Sequence, residues 1–335
     1  MQSHSVPKCL LEQFAFEHIP TKSLRLWRYA KGRKPFSAAS PKTATRIDGY
    51  FSDPINAQLE SQIEARLADE IEHPVHRFIR NLSDPTFALS DIQRRQMTMY
   101  IILLFHRSQA RRQASKPMNE IMVNAFRSFL DNETQVATVA AHWGINAYLS
   151  GVKLDRLITP ADIVISAERY MRHYESSEAE RETFLEGILR ARFDERIFNG
   201  EWRTVHTTHN DPFILSDSPV VTWERLGSRF SYGLGFHREN VELLLPISPT
   251  ACLHILPAVG RNRTIISPSA GQVNAGQAAF AHRDCFANQF SQEIDSVVQA
   301  HISTVQIGRN AFLSRSFNER RIFYDLLMSR NADTS

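Results

Sequence analysis

Arg107 is the residue of this chain in the most demanding setting. Nearly every position from Met97 to Phe105 is apolar, and the arginine follows at once in Leu103-Leu104-Phe105-His106-Arg107. On a helix, Leu103 and Tyr100 lie on its face, four and seven residues back. A guanidinium buried there cannot stay uncompensated, because removing a charge from water costs far more than removing an apolar group. It must snorkel, pair with a carboxylate or meet an anionic ligand. A structural ion pair is the leading reading and an anion clamp the functional one, with Asp217 or Glu64 the expected carboxylate partner.

Asp217 is the second residue of interest. The run Phe213-Ile214-Leu215-Ser216-Asp217-Ser218-Pro219 carries a strand into a sharp stop. Rigid backbone aims an acid at a strand end, which suits a general base or a metal ligand. The same acid can instead close an Asx-turn by accepting nearby backbone N–H groups, a task asparagine performs nearly as well. On either reading, Asp217→Asn is expected to leave stability within about 1 kcal/mol. The local sequence leaves both readings open. Glu64 and Glu72 lie eight residues apart, about 12 Å along a helix, and read as solvated acids unless the chain bends between them.

Other groupings carry less. His73 with His76, and His206 with His209, have the three-residue spacing of a helical metal pair. The first pair straddles Pro74, and the second lies on a strand, where such residues face opposite sides. Hydrogen-bonded or exposed histidines are the better account. Gly233 and Gly235 form a lone GxG that reads as a hairpin tip. No phosphate loop, HExxH or GxSxG motif is present.

The elements that would position these residues fall in three zones. Ser23–Tyr29 reads as a strand, and the basic stretch Lys31–Pro41, broken by Gly32, Pro35 and Pro41, as a loop. Residues 56–195 read as helical. Leu59, Ile63, Leu67, Ile71, Val75, Phe78 and Leu82 keep helical spacing, with an interruption near Glu72 imposed by Pro74. Ser90 caps a helix that is apolar on every face by its end. Further helices are expected at 117–131, 134–150, 160–175 and 178–193. Residues 200–260 read as strands at 201–208, 212–216, 241–246 and 251–256, able to pair with 23–29 in one mainly antiparallel sheet. Helices return at 270–283 and 289–302. Segregated helices and strands predict an α+β fold, a helical bundle packed against a mainly antiparallel sheet. One domain is expected over 1–310, followed by a charged tail over 311–335.

Composition narrows the function classes. The chain has 335 residues and a net charge of +3, too small for a dedicated nucleic-acid or membrane coat. Cys9, Cys252 and Cys285 are far apart and form no CxxC pair, so neither a disulfide framework nor a cysteine zinc site is indicated, and free thiols fit a reducing compartment. The first residues lack an unbroken apolar core, and no apolar run could span a bilayer. The expected location is the cytoplasm, with no membrane partner.

Several phrases recur in an order that belongs to a known family. Ser3-His4-Ser5-Val6-Pro7-Lys8-Cys9-Leu10-Leu11-Glu12-Gln13-Phe14 follows a Gln-His-x-x-Pro-(Lys/Arg)-x-x-Leu-x-x-Phe pattern, with Ser3 in place of the glutamine. Leu26-Trp27-Arg28-Tyr29, Pro41-Lys42-Thr43-Ala44, the helix bearing Glu64 and Glu72, Arg107 after its apolar run, Phe213 to Val220, Pro246-Ile247-Ser248-Pro249 and Val273-Asn274 follow in order. Over about residues 2–290 the chain resembles the bacterial domain-of-unknown-function family numbered 4238. The resemblance brings no activity with it. It implies that His4, Arg107, Asp217 and Asn274 belong to one recurring polar constellation.

The expected function is a hydrolase-like enzyme or effector acting on a phosphate-bearing or nucleic-acid substrate. Arg107 would clamp an anion, Asp217 act as base or metal ligand, and His4 as acid, base or ligand. Asn274 and Glu64 would bind substrate, and a divalent metal is compatible with this set. The alternative is a non-catalytic binding module or partner subunit whose polar cluster is structural.

Overall fold

The computed structural model describes residues 2–48, 67–108, 126–149, 156–175, 194–224, 229–232, 241–258 and 266–307, together with 65, 120, 123 and 124. These residues group into two compact units. One is Met1–Gln113 with Phe184–Gln306, and the other Ala114–Thr183 with Ile307–Ser335. The helical zone is thereby divided between the units. The helix expected at 178–193, the lone GxG and the tail beyond 307 lie outside the described residues, as does most of the helix at 117–131.

The first unit holds the strands. β1 (Gln2–His4) pairs antiparallel with β5 (Arg46–Asp48), His4 standing opposite Arg46. Between them come α1 (Lys8–Gln13), β2 (Phe16–His18), β3 (Ser23–Ala30) and β4 (Phe36–Ala39). β4 lies inside the stretch read as a loop. Its four residues find a ladder on β3, which local sequence does not reveal.

The remaining strands are β6 (Glu201–His206), β7 (Leu215–Ser216), β8 (Val221–Glu224), β9 (Arg229–Tyr232), β10 (Val241–Ser248), β11 (Ala251–Leu256), β12 (Asp284–Ala287) and β13 (Gln306–Ile307). The expected single sheet is two. One runs β13-β9-β8-β10-β11-β6, the other β2-β3-β12-β7 with β4 also on β3. β3 takes β12 as a neighbour, in the register Trp27 opposite Ala287 and Ala30 opposite Asp284. Every residue of β10 and β11 is buried, which explains why their sequences read as unbroken apolar runs rather than alternating ones.

Three helices matter for the site. α2 (His73–His76) follows a π-helical turn, Ala68–Glu72. The expected break at Pro74 takes this form, in which the His73 N–H bonds Ala68 O and the chain stays helical through the proline. A proline lacks a donor, and the wider turn is one way a helix absorbs that lack. α3 (Asp91–Arg107) starts at a full capping box. The Gln93 N–H donates to Ser90 Oγ at 3.3 Å and the Ser90 N–H to Gln93 Oε1 at 3.0 Å. Its second half is buried on all faces in one core with Leu10, Phe14, Leu243 and Leu253. α7 (Ala270–Phe280), capped in the same way by Ser269 and Gln272, comes after the short α6 (Glu195–Phe198), and α8 (Gln292–His301) follows it.

The second unit packs α4 (Glu133–Leu149) on α5 (Pro160–Glu175) through Val136, Val139, Trp143, Ile163 and Ala167. Thr159 and Asp162 close the start of α5, and Arg156 grips the Asp162 carboxylate. No helix among the described residues is long and apolar enough to cross a membrane. The fold is α+β.

Candidate functional site

The N-terminal segment is held against the core, as its apolar residues require. Val6, Leu10, Leu11 and Phe14 are wholly buried. The Ser5 N–H donates to Thr45 O at 3.1 Å, and Thr45 Oγ1 donates to Val6 O at 3.0 Å. His4 is thus fixed at the end of β1 and half-buried.

Arg107 ends α3 with 2% of its side chain exposed, and its guanidinium is paired with the Glu72 carboxylate. Asp217 takes no part in this pairing, and Glu64 lies outside the described residues. Glu72 is the last residue of the π-helical turn, so the irregular turn is what brings this acid to the arginine.

His4 belongs to the same cluster. Burial holds its imidazole below the ordinary histidine range, and the Arg107, Arg46 and Lys8 charges push in the same direction against Glu72 alone. Its Nδ1 is shielded from water and has no hydrogen-bond partner. Cys9 Sγ lies 3.9 Å from the Tyr100 hydroxyl. Burial, reinforced by Glu72, pushes the Cys9 thiol up to about 11, and burial likewise raises Tyr100. Both therefore stay protonated at neutral pH, and Cys9 is not a thiolate nucleophile. What remains for proton transfer is a neutral imidazole with one open nitrogen in cationic surroundings.

Asp217 and Asn274 sit elsewhere in the unit. Asp217 is buried, and its Oδ1 accepts from the His282 N–H at 2.7 Å. Its Oδ2 accepts from the Arg283 and Asp284 N–H groups at 2.9 and 3.1 Å. Burial raises its carboxyl to about 6, with the Asp284 charge adding to the rise and the backbone donors opposing it. Asp284 is itself gripped by Arg28 through two bonds of 2.6 Å. Asn274 Oδ1 accepts from the Ile214 N–H at 2.9 Å, and its Nδ2 donates to Pro212 O at 3.0 Å. Gln277, one turn on, accepts from the Ser216 N–H and donates to Pro219 O, at 2.9 and 2.7 Å. α7 thus clamps the 212–219 segment through two amides.

The structure brings His4 and Arg107 together and sets Asp217 and Asn274 apart. Sequence reasoning missed Cys9 and Tyr100 as members of the cluster, although Tyr100 shares the face of Arg107. It also missed Gln277, whose signal is the three-residue spacing from Asn274. Of the histidine pairs, His73 bonds exposed Asp69 at 3.2 Å, and His206 and His209 are exposed. Among the described residues no group of three His, Cys, Asp or Glu side chains is placed to hold a metal ion.

The family model described as "Protein of unknown function (DUF4238)" matches residues 2–290, and the chain belongs to that family. No curated protein and no solved structure matches it.

Proposed function

We propose that the protein is a hydrolase-like enzyme or effector acting on a phosphate-bearing substrate at the His4–Arg107–Glu72 centre. The observation that carries this reading is the unpartnered, shielded Nδ1 of His4 under the field of Arg107, Arg46 and Lys8. Lys8 is paired with Glu12 and Arg107 with Glu72, and with Arg46 the balance at the imidazole stays cationic, which favours an anion beside it. Burial is the main reason that His4 is neutral and the cationic field the second, and an arriving phosphate would offset that second part and so raise its proton affinity. His4 would then be charged when substrate is bound, ready to give a proton to a leaving oxygen. Glu72 holds the Arg107 guanidinium in place, and Arg107 stabilises the developing negative charge. The three free thiols, Cys9, Cys252 and Cys285, support a cytoplasmic location.

A second reading, a non-catalytic binding module or partner subunit, is favoured by Asp217 and Asn274. Both have their hydrogen-bonding capacity taken up by backbone, as a purely structural polar cluster would. Turnover of chromogenic phosphomonoesters and phosphodiesters separates the two. His4→Gln should lower that turnover by about a hundredfold or more, the scale of general acid–base catalysis, with the circular dichroism unchanged. Absence of turnover in the wild type, together with a His4 NMR midpoint indifferent to inorganic phosphate, would leave the structural reading.

A further inference from the structure

Strand β3 carries a second surface, with a chemistry of its own. Between Lys22 and Lys34 stand six basic residues, Lys22, Arg25, Arg28, Lys31, Arg33 and Lys34, and no acidic one. Arg28 is taken up by Asp284, but Lys31, Arg33 and Lys34 are exposed. They are presented by a turn in which Gly32 adopts φ +66, a left-handed conformation suited to glycine, and donates its N–H to Gln299 Oε1 at 2.8 Å.

The side of β3 that bears Arg25, Trp27 and Tyr29 is aromatic. Tyr29 is wholly buried, its hydroxyl donating to Gln289 O at 3.0 Å and accepting from the Ser291 N–H at 2.9 Å. Trp27 is only half-buried. Phe16, opposite Arg25 in register, stacks on it with centroids 6.4 Å apart and planes 22° from parallel. Phe290 leans on its ring at 5.3 Å and is itself 54% exposed. An open phenyl ring at the edge of a three-ring cluster is apolar area that the core has not used.

Asn288 adds an independent observation. It follows Ala287, the residue opposite Trp27, and precedes Phe290 by two. Its Oδ1 is shielded from water and accepts no hydrogen bond, a cost to the folded chain that an outside donor would remove.

We propose that this surface binds single-stranded nucleic acid. A base stacks on the open face of Phe290, which Trp27 backs, the half-buried Asn288 turns its unpartnered Oδ1 outward to accept a base N–H, and phosphates run toward Lys31, Arg33 and Lys34. Every base has a π-face, so an aromatic platform beside exposed cations binds single strands without a groove to read. Amide side chains are the groups that read the edges of unstacked bases. From Trp27 to Lys31 the strand advances about 13 Å, about four nucleotide rises of 3.4 Å. A duplex hides its bases in its own stack and offers this platform nothing.

The test is binding of labelled oligonucleotides of about 12 residues to the full chain, read by fluorescence anisotropy at roughly 50 mM salt and above. The readout is independent of whether the His4 centre turns over any substrate. Single strands should bind and duplex of the same sequence should not. Phe290→Ala, at a largely exposed position, should weaken binding about tenfold, with circular dichroism to show that the variant is folded. Trp27→Leu should weaken it at least as much, with circular dichroism to show that the variant is folded. Asn288→Ala should erase preference among base compositions. Exchanging Lys31, Arg33 and Lys34 for alanine should flatten the dependence on salt. Failure to bind single strands at low salt overturns the proposal. So does binding that survives Phe290→Ala and responds only to the lysine and arginine changes, which is charge attraction without a base site.

Discussion

The guanidinium of Arg107, at the last turn of α3, is paired with the carboxylate of Glu72, at the end of the π-helical turn, 35 residues earlier in the chain. The arginine is buried and the acid nearly so. Such a pair is costly to break and cheap to replace as a whole, because a lone survivor keeps its desolvation penalty.

Arg107→Ala should therefore lower stability by about 3 to 5 kcal/mol. Glu72→Ala, which takes this carboxylate from the buried arginine, should also destabilise the chain. The double change Glu72→Leu with Arg107→Met should recover much of the loss. Denaturant midpoints of the three variants check this. A single variant with a wild-type midpoint would show that water already solvates the pair.

Asp217→Asn is expected to destabilise the chain by about 1 to 3 kcal/mol, the cost of a buried donor left unmade. The sequence-based expectation of no more than about 1 kcal/mol rested on the usual loss at a cap or turn. Both oxygens are in use, one toward His282 and one toward Arg283 and Asp284. An amide must turn its NH2 toward one of these N–H groups. Thermal melts at neutral pH settle it, and a melt unchanged by the substitution would contradict the geometry.

The same carboxyl sets a pH dependence. Its folded value is raised to about 6 from 3.8, burial being the main cause, so the folded chain holds this proton more tightly than the unfolded one. The contribution is complete below the unfolded value and is lost as pH rises through the folded value. The stability advantage of wild type over Asp217→Asn should shrink between about pH 4 and pH 6.5. Paired urea titrations across that window provide the measurement, and an advantage that grows with pH would reverse the sign.

Asn274→Ala and Gln277→Ala should each cost about 1 to 3 kcal/mol, since each leaves a buried backbone N–H without its acceptor. Because both amides pin one segment, 212–219, the double variant should lose less than the sum. Additive losses in a double-mutant cycle would mean that the two clamps act independently.

Much of the fold was legible because its determinants are local. Ser90 and Gln93 cap α3 within one turn, and the apolar run after Met97 can only be a buried segment. β10 and β11 announce themselves because covering both faces leaves no polar positions to alternate with. The three-residue strands β1 and β5 could not be read, since neither has a propensity of its own and each is made by the other's ladder. The split of one expected sheet into two has the same origin, in β12 reaching β3 across more than 250 residues of chain.

For the candidate site the division runs between residue type and residue partner. The sequence alone determined that Arg107 needs compensation, because its own helix supplies the apolar surroundings. It also determined that the N-terminal segment docks, because Val6, Leu10, Leu11 and Phe14 have no reason to stay in water. Only the tertiary structure decided that the compensating acid is Glu72, since a π-helical turn rotates that side chain to where an α-helical count does not put it. Only the tertiary structure gave Asp217 its backbone donors. A carboxylate at a strand end has the same local sequence whether it meets a substrate or three N–H groups, and the turn at 282–284 that supplies those groups comes 65 residues later in the chain.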